Sequence, residues 1–186
     1  MVDALRSGAQ VQPVSGYCLK YGGCGPNEAS IRVPVEYGRQ VISGLPLAPR
    51  KGYRGQWLAN GPPADAQLTG HLPLHLSASG PFALYLGCGR AARAGDCALV
   101  EPGSGDLAAI VTRLTLPSEL EQDGIPVNRL RLQEHARYLI KAQRPIAAEL
   151  GEVEFHTTNG EVSHMITHGG ATYSGAVVLC FDAQLP

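Results

Sequence analysis

Apolar and polar positions alternate along several short stretches of the chain, and that period of two predicts strands. In ASIRVPVEYGRQVIS, Ile31, Val33, Val35 and Tyr37 fall on one face and Arg32, Pro34 and Glu36 on the other. Pro34, which has no N–H to donate, points to an edge or bulged position. In QLTGHLPLHLS, Leu72, Leu74 and Leu76 alternate with His71, Pro73 and His75. PFALYLG is a further apolar strand, and CALVE, the turn PGSGD and LAAIVTRLTL read as a hairpin. AVVLCF is apolar at every position, the pattern of a central strand covered on both faces, which makes Cys180 a core residue.

One region has helical spacing instead. Ser118 and Glu121 fit a capping box for a short turn ended by Gly124. Asn128 suits the N-cap of RLRLQEHARYLIKAQR, where Leu132, Ala136, Leu139 and Ile140 recur at three- and four-residue intervals before Pro145. The spacing predicts one substantial helix near residues 128–143, packed through those four side chains on a sheet. Strands that do not alternate with helices argue against α/β. The expected class is mainly β (α+β), an antiparallel β-sandwich or jelly-roll-like domain.

Residues 1–16 are polar and punctuated by Gly8, Pro13 and Gly16, so they read as an N-terminal arm. Residues 17–186 then form a single β-rich domain with a long loop at 44–66 that carries Trp57. Loops of that length commonly bind something or cover a face. The 23 glycines and 14 prolines are spread between apolar stretches, which signifies turns rather than disorder. A net charge of −1 argues against general nucleic-acid or membrane binding by electrostatics. No stretch has the ~20 apolar residues of a membrane span, and the N-terminus lacks the apolar run of a signal peptide. Five cysteines (Cys18, Cys24, Cys88, Cys97 and Cys180), an odd number without framework spacing, fit a reduced setting. The expected location is the cytoplasm or an assembled particle.

The stretch FHTTNGEVSHMITH, from Phe155 to His168, concentrates three histidines. Asn159-Gly160 is a strong hairpin signal, so 153–158 and 161–166 are expected to pair around it, with His156 facing away from His164. On a strand, H-x-x-x-H sets two imidazoles roughly 13 Å apart at ~3.3 Å per residue, whereas zinc holds its ligands near 2 Å from one centre. The same arithmetic separates His71 from His75. A metal site using His71, His75, His164 or His168 would therefore have to assemble across strands. His164, on the apolar face, is a candidate catalytic base. Cys24, set among glycines in YGGCGPN, is a candidate nucleophile whose neighbouring N–H groups would lower its pKa. LGCGRAARAGDCALVE has a glycine turn and a later acid, Glu101, but the intervening GRAARAGD is too short for the crossover helix of a nucleotide fold.

There is no phosphate loop, no helical metal motif, no nucleophile elbow and no paired carboxylate signature. The leading expectation is a non-enzymatic structural or binding subunit of a homo-oligomeric assembly, such as a viral or phage particle component. It would use no cofactor and would contact neighbouring subunits through the arm and the 44–66 loop. The alternative is an enzyme with a β-barrel or sandwich cavity that uses histidines from different strands, with or without a divalent metal.

Overall fold

The computed structural model of the chain describes residues 11–13, 30–32, 37–43, 45, 47–49, 66–78, 80–168 and 171–183. Cys18, Cys24, Trp57 and most of the expected arm and loop lie outside the described residues. The strands, in chain order, are β1 (Val11–Pro13), β2 (Ser30–Arg32), β3 (Tyr37–Ser43), β4 (Ala48–Pro49), β5 (Leu68–Ala78), β6 (Phe82–Cys88) and β7 (Cys97–Val100). They continue with β8 (Leu107–Thr115), β9 (Leu120–Gln122), β10 (Ile125–Pro126), β11 (Leu130–Leu132), β12 (Arg137–Ala142), β13 (Ile146–His156) and β14 (Ala176–Ala183). Among the described residues there is one α-helix, α1 (Asn159–Thr167), and a single 3-10 turn at Arg93–Gly95.

Two mostly antiparallel sheets share one apolar core, a β-sandwich-like α+β fold. The first runs β1-β3-β14-β6-β12-β9-β10, and the second runs β11-β8-β13-β5-β2, with β4 on β5 and β7 on β8. The predicted alternation governs β5: Leu72, Leu74 and Leu76 are fully buried while His71, Pro73 and His75 are exposed. They share the core with Val153 and Phe155 of the antiparallel β13, and in the first sheet Phe82 of β6 and Phe181 of the adjacent β14 pack with ring centroids 6.0 Å apart. β14 is central, between β3 and β6, as expected. It nevertheless buries only one face fully: Val177, Leu179 and Phe181 are inside, and Cys180 is half-buried rather than in the core.

The helix expected at 128–143 is not formed. That segment makes β11 and β12, where Tyr138 and Ile140 point inward and Arg137, Leu139 and Lys141 outward. Backbone geometry excludes a helix there, since Arg129 (φ 53) and His135 (φ 64) adopt the left-handed region. The capping-box turn at 118–124 is also absent. β9 and β10 instead form a hairpin across Asp123-Gly124, whose φ values of 52 and 81 are those demanded by a type I′ turn.

The arm expected at 1–16 is described only at Val11–Pro13, which pairs antiparallel with β3 of the same chain. The reduced-thiol expectation fails at Cys88 and Cys97, which form a disulfide joining the end of β6 to the start of β7. LGCGRAARAGDC is thus a cystine-closed turn. Among the described residues no helix is long and apolar enough to cross a membrane.

Candidate functional site

The hairpin expected around Asn159-Gly160 is replaced by α1, and this correction creates the site. Thr158 is the N-cap, its hydroxyl accepting from the Glu161 N–H at 3.3 Å. Thr158-Asn159-Gly160-Glu161 has the S/T-x-x-E pattern of a capping box, and Val162, Met165 and Ile166 follow at helical spacing. Glu161 does not close that box, because its carboxylate accepts from the Ala109 N–H of β8 at 3.0 Å and so docks the helix on the second sheet. Val162 is buried beneath.

With a helical period, His164 and the C-cap residue His168 lie one turn apart on the same face, their rings 5.3 Å apart and edge to face. Opposite them stands Asp106, at the end of the turn that sequence alone marks as a polar hairpin loop. That turn is rigidly bonded. The Glu101 carboxylate accepts from the Ser104 hydroxyl first, and from the Gly103 and Ser104 N–H groups, which together hold its pKa below the ordinary value. The Glu101 N–H donates to the Asp106 carbonyl at 2.9 Å, and the Gly105 N–H donates to the Glu101 carbonyl at 2.8 Å.

Asp106 Oδ2 lies 2.8 Å from His164 Nε2, 3.7 Å from His168 Nδ1 and 2.6 Å from the Tyr173 hydroxyl. A carboxylate only accepts, so Tyr173 donates, and His164 carries its proton on Nε2. The Tyr173 hydrogen bond, with that of His164 behind it, holds the Asp106 carboxyl below its usual range against the opposing effect of burial. Burial and then the Asp106 hydrogen bond push Tyr173 up to about 12, so it remains a neutral donor. The segment bearing Tyr173 is fixed to β7 by reciprocal Val100–Ser174 backbone bonds of 2.8 and 2.9 Å. Gly175 permits this approach: a Cβ there would lie 2.9 Å from the Ala98 carbonyl oxygen.

Tyr173 also borders a cavity of about 340 Å³. Its walls are mainly apolar and come from both sheets, with Ile42 and Val177 on one side and Ile110 and Phe155 on the other. Met165 of α1 closes one flank, and Leu45 and Leu47, from the start of the predicted long loop, line another.

Of the candidate residues, the structure brings together His164 and His168, along one helix rather than across strands. His71 and His75 are exposed on β5, and His71 pairs with Glu152 at 3.1 Å. His156 is buried at the end of β13, with Nδ1 lacking a hydrogen-bond partner. Asp106 and Tyr173 were not legible as site residues, because they meet His164 only through the tertiary fold. The T-x-x-E pattern at 158–161 is the local signal for this helix, and the hairpin reading of Asn159-Gly160 passed over it. No protein-family model, curated protein or solved structure matches the chain.

Proposed function

We propose that the chain is a binding module for a small, mainly apolar molecule, held between the two sheets beside Tyr173. The observation that carries this reading is the 340 Å³ cavity with walls from both sheets and from α1. Protein interiors are close-packed, with few voids larger than a water molecule. An opening of this size falls within the range of small-molecule sites, which are predominantly apolar with a few polar groups to orient the ligand. Thr172, Tyr173 and Ser174 supply such groups along one wall. The test is titration of the purified chain with an environment-sensitive apolar fluorophore. The native chain should bind one equivalent saturably, and Met165→Trp, which fills the cavity from the helix side, should weaken binding at least tenfold. Absence of saturable binding, or binding indifferent to Met165→Trp, overturns the reading.

A second reading, a subunit of a homo-oligomeric assembly such as a viral or phage particle, draws on Ile125 and Leu150, which remain 68% and 61% exposed. It draws less on the arm, whose described part pairs within its own chain. Sedimentation of the native chain and of the Ile125→Lys, Leu150→Lys variant tests it: a large assembly that the variant dissociates supports it, and a monomer removes it.

A further inference from the structure

We propose that Asp106, His164 and His168 bind a divalent first-row transition metal of the zinc class, through Asp106 Oδ2, His164 Nε2 and His168 Nδ1. One ligating atom from each residue can be chosen so that all three lie within 4.8 Å of one another. Around a tetrahedral zinc, with ligands at about 2.0–2.2 Å, neighbouring ligand atoms stand about 3.3 Å apart. The observed separations from Asp106 Oδ2, 2.8 Å to His164 and 3.7 Å to His168, bracket that figure. The metal takes the place of the proton that His164 Nε2 donates to Asp106; His164 then carries its proton on Nδ1 and His168 on Nε2, so both ligate as neutral imidazoles.

The surroundings fit a metal as well as the ligands do. The Tyr173 hydroxyl bonds the ligating carboxylate, and the Thr167 hydroxyl bonds the His164 carbonyl at 2.6 Å, steadying the turn that carries both histidines. Outer partners of this type orient ligands. Two imidazoles and one carboxylate suit zinc, iron(II) or cobalt(II), whereas calcium and magnesium demand oxygen-rich shells. The His164 and His168 side chains are 44% and 39% exposed, which leaves an entry path and open coordination positions for water. This inference does not depend on the apolar cavity being a binding site.

The experiment uses the full chain, stripped with a chelator and titrated at pH 7.5 with cobalt(II), followed by visible absorption, and with zinc, followed by calorimetry. One equivalent should bind, with cobalt d–d bands. His168→Ala, at the exposed end of the helix, and Asp106→Asn should each weaken zinc at least tenfold. Tyr173→Phe should weaken it by roughly ten- to a hundredfold, as expected for an outer partner. His71→Ala with His75→Ala should change nothing. Circular dichroism of each variant establishes that it is folded. Zinc binding weaker than millimolar, or equal in the native chain and His168→Ala, overturns the proposal and leaves the cluster as a latch between helix and turn. Fluorophore binding by the metal-free chain is read separately, so failure of either idea leaves the other standing.

Discussion

His71-x-x-x-His75 and His164-x-x-x-His168 have identical spacing and opposite consequences. On β5 the two imidazoles project into solvent from positions roughly 13 Å apart at ~3.3 Å per residue, with leucines beneath them. On α1 and its cap the rings are 5.3 Å apart and face one carboxylate. The chemistry of the motif is therefore set by the period of the backbone that carries it. For the second pair the period is decided at Thr158, which caps a helix where Asn159-Gly160 had suggested a turn.

Five substitutions test this contrast. The largest effect should come from the strand: Leu74→Ala removes a fully buried side chain between His71 and His75 and should cost about 2–5 kcal/mol in urea unfolding. A cost below about 1 kcal/mol would place these leucines, and hence the outward histidines, incorrectly. On the helix side, Thr158→Ala deletes the cap and should cost about 1 kcal/mol. It should also weaken zinc binding, since the convergence of the two histidines depends on the helix. An unchanged unfolding midpoint would count against the cap.

A smaller, pH-dependent effect concerns His156. Burial first, and the charge of Arg113 on β8 next, hold its pKa below the ordinary value, with Glu154 opposing and Arg129 and Arg131 adding to the lowering. The unfolded chain then binds the proton more readily. The contribution of neutral His156 is fully present above about pH 6.5 and is lost as pH falls through the folded-state pKa. The native urea midpoint should fall between pH 7.5 and 5.5, and His156→Gln should flatten that fall; equal slopes would refute the assignment. Smallest of all, His71→Ala and Leu139→Ala should each shift stability by no more than about 0.5 kcal/mol, because one loses an exposed hydrogen bond and the other an outward side chain. A multi-kilocalorie loss at Leu139 would restore the helix that periodicity suggested over 128–143.

The sheets were legible wherever alternation was clean and local. β5 follows from apolar positions two apart, the β7–β8 hairpin from the turn residues between its strands, and the central place of β14 from an unbroken apolar run. The failures share a cause: two adjacent signals of similar strength, decided by partners remote in sequence. Leu132, Ala136, Leu139 and Ile140 satisfy a helical period, but Tyr138 and Ile140 also alternate, and pairing of β12 with both β6 and β9 selects the strand. Asn159-Gly160 and Asp123-Gly124 are both hairpin dipeptides. Only the second is flanked by residues that pair, while the first is drawn into a helix that Glu161 ties to Ala109. Half of the candidate site was visible as histidines. Asp106 and Tyr173 carry no local pattern, and the Cys88–Cys97 bond was masked by an odd count of cysteines.

The position of β14 also bears on how the chain acquires its fold. Its register runs against β3 on one side and β6 on the other, so Val177 pairs with both Ile42 and Cys88. During synthesis β3 and β6 emerge long before residues 176–183, and the two cannot complete the first sheet without them. High sequence separation of this sort slows folding, and unpaired strand edges invite association with other chains in the interval. The first sheet is therefore completed by insertion rather than extension, and a ribosome-bound chain should hold β3 and β6 as two open edges until its late strand arrives.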